Sequence, residues 1–240
     1  MKLELGKLLT VTLLLAATAL AGTRAQQTER VGRLQGAAFS GRHKGVVGAA
    51  VVVRQQADSS SMFITSTDAG GQFRVEGLPD GEYRVSVKRH GFRPVIKEGI
   101  SVRFPFRPVV EVTMEPAAGL AVTAASTDGT PSTQPISVAG HVVGRDGNPV
   151  GQTRLRFVHP SGRLDPRWVR TDAEGRFEIS ELPAGEWQLE ARGVGFLPLR
   201  VQLELAQDTR FQFFLVRQPA NYEPEPLELM PRERPIPPPE

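Results

Sequence analysis

The chain contains no cysteine. That excludes disulfides, thiolate metal sites, a cysteine nucleophile and a lipid anchor carried on a cysteine, so any fold has to be held together by core burial. Histidine is nearly as scarce. His43, His90, His141 and His159 form no His-x-His or His-Glu-x-x-His pair, which excludes the usual spacing of a catalytic zinc site. There is no Gly-x-Ser-x-Gly elbow and no Gly-rich phosphate loop leading from a strand into a helix. No catalytic residue, metal site or cofactor is expected on these grounds. No stretch holds a helical period, and beyond the first 25 residues no apolar run is long enough to span a membrane.

What is present is a duplication. Thr67-Asp68-Ala69-Gly70-Gly71-Gln72-Phe73, Leu78-Pro79-Asp80-Gly81-Glu82-Tyr83 and Gly91-Phe92-Arg93-Pro94 recur 104 positions later without a gap. The second copy reads Thr171-Asp172-Ala173-Glu174-Gly175-Arg176-Phe177, Leu182-Pro183-Ala184-Gly185-Glu186-Trp187 and Gly195-Phe196-Leu197-Pro198. Repetition over so long a span marks two copies of one structural unit.

Each copy carries two turn signals. Asp68 with Gly71, and Asp172 with Gly175, fit positions i and i+3 of a hairpin turn, where the carboxylate caps nearby backbone. These acids read as turn formers rather than as catalytic or calcium-binding carboxylates. Pro79 with Gly81, and Pro183 with Gly185, fit i+1 and i+3 of a second turn. Alternation follows: Tyr83, Val85 and Val87 share one face, as do Trp187, Leu189 and Ala191, with charged residues opposite. Short alternating strands separated by turns predict an all-β sandwich.

At these motifs the chain resembles the carboxypeptidase regulatory-like domain. "TDAGGQF" or "TDAEGRF", "LPDGEYRV" or "LPAGEWQL" and "GF.P" carry the likeness, with a Gly-containing opening strand at Ala139–Gly151 in the second copy. The resemblance implies two tandem seven-stranded Greek-key sandwiches of the transthyretin (prealbumin) type. It does not imply a peptidase, because no peptidase domain accompanies them, and it says little about a ligand. Two enzymes of the same sandwich type find no matching residues. A hydroxyisourate hydrolase would need a Tyr-Arg-Gly-Ser terminus, and an intradiol dioxygenase would need two Tyr and two His on one iron, whereas Tyr83 lies in a core strand and Tyr222 in the tail.

Taken in order, residues 1–25 read as a signal peptide. Lys2 and Lys7 precede an apolar run from Leu8 to Ala21, and cleavage fits after Ala25, with Ala21 a second site. The run falls short of the roughly 20 residues of a membrane span, so no stable span remains after cleavage. The leader carries Lys2, Lys7 and Arg24 against Glu4. Removing that +2 from the net +3 leaves +1, which gives no support to nucleic-acid binding. Domain 1 spans 31–116 and domain 2 spans 137–218. Between them, 117–136 reads as a flexible linker that lets the two move relative to each other. Residues 219–240, dense in Pro and Glu, read as a disordered tail, a spacer or docking peptide.

Two candidate binding features remain. In domain 1, Lys88, Arg89, His90 and Arg93 form a basic cluster, read first as a solvated, aggregation-resistant edge and second as a dock for an anionic polymer. In domain 2, Trp168 is a candidate platform for a sugar ring, although its alignment with Ile64 predicts burial in the core. The expected function is that of an exported, secreted or periplasmic, non-enzymatic module binding an envelope polysaccharide or another envelope protein. The alternatives are an accessory subunit or hydrolase with an unseen site, and assembly by strand addition at a sheet edge.

Overall fold

A computed structural model describes residues 31–41, 43–117 and 132–220. The leader, most of the linker and the tail from 221 lie outside the described residues, and so do the expectations placed on them. Every regular element described is a β-strand.

Copy one contributes β1 (Val31–Ser40), the short β2 (Lys44–Gly45), β3 (Ala50–Gln55), β4 (Ser61–Ser66), β5 (Gln72–Pro79), β6 (Gly81–Lys88), β7 (Val95–Val102) and β8 (Val109–Met114). One sheet has β1 between antiparallel β5 and parallel β8, with β2 hooked onto the end of β1. The facing sheet runs β4-β3-β6-β7. Alternation sorts the side chains: Tyr83, Val85 and Val87 are fully buried between the sheets, and the exposed faces of β6 and β8 carry the charges.

Copy two repeats this with β9 (Ser132–Gly144), β10 (Arg154–Val158), β11 (Arg167–Arg170), β12 (Arg176–Arg192), β13 (Leu199–Leu205) and β14 (Thr209–Leu215). The first half of β12 pairs with β9, whose other side takes parallel β14. The second half pairs with β10 and β13, and β10 also pairs with β11. Counting β12 twice, copy two is a seven-stranded sandwich, and copy one is the same seven strands with the two-residue β2 added. Phe211 and Phe213, the alternating aromatics of the last strand, are buried in the core of copy two.

Three expectations are corrected. The Asp68 and Asp172 turns are not hairpins, because β4 and β5, like β11 and the first half of β12, lie in opposite sheets and form no ladder with each other. The chain arches over the core there, through Gly71 and Gly175, both at φ +77. Nor are Leu78–Gly81 and Leu182–Gly185 free-standing turns. In copy two, β12 runs through without interruption, and in copy one only Asp80 separates β5 from β6. Proline lacks an N–H for the ladder, so the strand bends at this point and passes from one sheet to the other. An aromatic pins each corner: the Tyr83 hydroxyl donates to the Pro79 carbonyl at 2.7 Å, and Trp187 Nε1 donates to the Pro183 carbonyl at 2.9 Å.

The third correction concerns the linker. Strand β9 begins at Ser132, inside the stretch read as linker, and Pro135 pairs with Pro183. The two sandwiches also share a sheet. β14 of copy two lies parallel to β4 of copy one, with Phe211, Gln212 and Phe213 opposite Met62, Phe63 and Ile64, and the sheet continues without a break from β12 to β7. Once its edge is occupied, β4 is buried on both faces. Met62 and Ile64 enter the core of copy two, and Phe63 stays in that of copy one, joined there by Phe214 and Val143 from copy two. Full burial of such side chains contributes about 1.5–3 kcal/mol each. The sequence-based expectation of two mutually mobile domains gives way to one joined body.

Candidate functional site

Polar contacts complete the join. The Thr65 hydroxyl donates to the Phe214 carbonyl at 2.9 Å, and Arg210 N donates to the Ser60 carbonyl at 2.8 Å. Arg145 of copy two reaches the Asp68 arch of copy one. Its Nη1 lies 2.6 Å from Asp68 Oδ2, and its Nη2 donates to the Gln72 carbonyl. Asp68 divides its work: Oδ1 accepts from the Gly70 and Gln72 amides, holding the arch, while Oδ2 receives the guanidinium. In copy two Asp172 Oδ1 accepts from the Arg176 amide at 2.7 Å.

Applying the 104-residue offset to the covered face of copy one exposes a difference between the copies. Ala50, Val52, Met62 and Ile64 line the face that copy two covers. Their counterparts are Arg154, Arg156, Pro166 and Trp168. This second face is not covered. Trp168 is 61% exposed, a correction to the core position predicted from Ile64, and the Arg156 guanidinium sits over its ring 5.1 Å from the centroid. The physical reason is that burial at this position comes from whatever docks on the strand edge, and β11 has no strand on its outer edge among the described residues. Beside β11 a shallow depression of about 840 Å³ is lined in part by His141, Arg170, Asp172 and Arg176.

The sequence held a signal for this. Met62-Phe63-Ile64 puts apolar side chains on both faces of β4 with no charge anywhere in the strand, as expected of a strand buried on both faces, whereas Arg167-Trp168-Val169-Arg170 is flanked by charge and paired with Arg154 and Arg156 on β10. Only Val169 of β11 packs onto the core.

The basic cluster of copy one is at the end of β6 and the loop that follows. Lys88, His90 and Arg93 are exposed, while Arg89 is partly buried and its Nη1 donates to the Gly48 carbonyl at 3.4 Å. The structure does not bring this cluster into contact with Trp168. Among the described residues no group of three or more His, Asp or Glu side chains could hold a metal, and no helix is long and apolar enough to cross a membrane. His159 is buried with its ring edge-on to Trp187, 5.3 Å between centroids.

Among the groups with displaced acidities, two lie on β6 and β12. Burial, then the carboxylates of Asp80 and Asp58, push the Tyr83 phenol up to about 12. For Glu190 on β12, burial opposes ionisation, but hydrogen bonds from Arg192 and Arg200 to Oε1 outweigh it and hold the carboxyl below its ordinary value. Both are structural features of the sandwich, one at the corner and one on the β12–β13 ladder.

Fold and surface together define a duplicated β-sandwich protein with an exposed tryptophan on the β11 edge. The profile of the carboxypeptidase regulatory-like domain matches residues 33–115 and 137–216, more than half of the chain, and the chain belongs to that family. Among curated proteins nothing matches. Among solved structures, the Bacillus anthracis TIE protein is 16% identical, with 78% of this chain and 34% of that one covered at a TM-score of 0.32; this chain thus spans about a third of that protein's length. BcpA, the major pilin subunit of Bacillus cereus, is 10% identical, with 78% and 100% covered at 0.31. The 3-chlorocatechol 1,2-dioxygenase of Rhodococcus opacus is 15% identical, with 38% and 62% covered at 0.32.

Proposed function

We propose that the chain is an exported, non-enzymatic structural module of the cell envelope, secreted or periplasmic, that engages another envelope protein by strand addition at the open edge of β11. The observation that carries this reading is internal to the molecule: at the equivalent edge, β4 already accepts a parallel strand from its neighbour. An unpaired edge presents a row of backbone donors and acceptors, and side chains on alternate faces select what may pair with it. The shared sheet makes the body a stiff spacer, suited to holding a partner at fixed distance.

A second reading has its own support. An exposed Trp168 carrying a cation over its ring offers a flat face of the kind that stacks on a sugar, with an envelope polysaccharide as partner. Placing a photo-crosslinking amino acid at position 168 in producing cells separates the two. Adducts with an exported protein are the expected result; adducts only with polysaccharide support the second reading, and a chain retained in the cytoplasm overturns both.

A further inference from the structure

We propose that copies of this chain associate head to tail, with β8 of one molecule adding in parallel to the outer edge of β11 of the next. The inference rests on the strand-addition reading above and names its partner. The join between the two copies within one chain uses β4, the edge of one sheet, and β14, the last strand of the other sandwich. By the duplication, β11 is the counterpart of β4, and β8 is the counterpart of β14. Val109 stands opposite Gln35 on β1, as Arg210 stands opposite Ala139 on β9. Neither outer edge, of β8 or of β11, has a strand on it among the described residues. The molecule therefore ends, on both sides, in the two halves of an interface it has already made once.

Carrying the β4–β14 register across fixes which residues meet. Gln212 opposite Phe63 becomes Glu111 opposite Arg167, and Phe213 opposite Ile64 becomes Val112 opposite Trp168. Glu111 and Arg167 are both exposed and of opposite charge. Val109, at the entry to β8, is 67% exposed, and Trp168 is 61% exposed. The inner join buries Ala50, Val52, Met62 and Ile64, where β10 and β11 offer Arg154, Arg156, Pro166 and Trp168, so the outer join is more polar and reversible. Because the two contacting surfaces differ, the contact is head to tail, and each molecule added to a row leaves one β8 edge and one β11 edge free for the next.

Sedimentation of the full exported chain, from about 1 µM to about 1 mM, spans the affinities of such an interface. The expected result is a mass that rises with concentration. Tryptophan emission should shift to the blue in parallel, from Trp168 alone, because Trp187 is already 1% exposed. Glu111→Arg or Arg167→Glu each faces like charges across the new ladder and should weaken association about ten-fold or more. In an equimolar mixture the two variants can alternate, so that every interface pairs opposite charges, half of them swapped and half as in the wild type, and the wild-type mass should be recovered. Single-chain mass with unchanged emission at the highest concentration overturns the proposal, as does wild-type assembly by either variant alone or failure of the mixture to recover. If the chain stays single while position 168 still crosslinks to another exported protein, self-association falls and strand addition stands. If position 168 crosslinks only to polysaccharide, both fall.

Discussion

Arg145 Nη1 lies 2.6 Å from Asp68 Oδ2, and the two residues belong to different copies of the repeat. The pair binds the turn that follows β9 of copy two to the arch of copy one. Each side chain is about a quarter exposed, and a hydrogen bond to a charged partner at such a site contributes about 1.5–3 kcal/mol. Arg145→Met should lower unfolding free energy by about 1–2 kcal/mol. Asp68→Asn should cost more than Asp172→Asn, since only Asp68 holds the second copy. Denaturant midpoints of the three variants check this.

Equivalent positions should respond oppositely to truncation. Ile64 is fully buried and Trp168 is exposed. Ile64→Ala is expected to cost about 2–5 kcal/mol as a core cavity, and Trp168→Ala to stay within about 0.5 kcal/mol as a surface change. Thermal unfolding of the two variants at low protein concentration reads the difference.

Gly175 and Gly195 sit at φ +77 and +79 respectively, but their surroundings differ. A Cβ at Gly175 would collide with the Val142 carbonyl oxygen, whereas nothing lies within 4 Å of one at Gly195. Alanine at Gly195 should cost only the left-handed backbone penalty, about 1–2 kcal/mol. Gly175→Ala should exceed that, and the excess measures the steric closeness of the arch to β9.

The Tyr83 phenol, pushed up to about 12, predicts instability in base. An unfolded tyrosine ionises near about 10, so the stabilisation is intact below that pH and is lost between there and about 12. Ultraviolet titration of a Tyr222→Phe variant isolates Tyr83 and should give a midpoint near 12 in the folded protein. Tyr83→Phe should abolish this alkaline limb and lose about 1 kcal/mol with the bond to Pro79.

Acid acts in part through Glu190, whose carboxyl, like those of Asp58 and Asp146, is held below its ordinary value. Its contribution is complete above the unfolded pKa, about 4.3, and fades as pH falls through the lower folded value. Glu190→Gln should flatten this part of the stability profile without altering the plateau's shape near neutrality. Unfolding curves from pH 7 to pH 2 provide the comparison.

Much of the sandwich was legible because its causes are local. Alternation placed Tyr83, Val85, Val87, Trp187 and Leu189 in the core, and the repeated Asp, Pro and Gly positions marked where the chain changes direction. Whether a change of direction is a hairpin or an arch between sheets depends on which strands meet afterwards, and a single turn does not encode that. The same limit hid the environment of Trp168. Its strand holds the place of β4 at the 104-residue offset, but burial of an edge strand is decided by what lies on its outer side, and among the described residues only β4 has a strand there. The composition of β10, with Arg154 and Arg156 in place of Ala50 and Val52, carried the missing information. The fused sheet was the least legible feature, because it joins Met62 to Phe211 across a stretch of low complexity whose composition speaks only for mobility.

The ladder between β14 and β4 also constrains how the gene could have diversified. A duplicated unit ordinarily frees one half to drift while the other keeps the original role. Here the first half carries an apolar flank and the second a charged one, so the halves cannot be exchanged without baring a surface that is covered in this arrangement. Swapping the order of the halves would place Arg154 and Arg156 beneath a seated strand and leave Met62 and Ile64 in water.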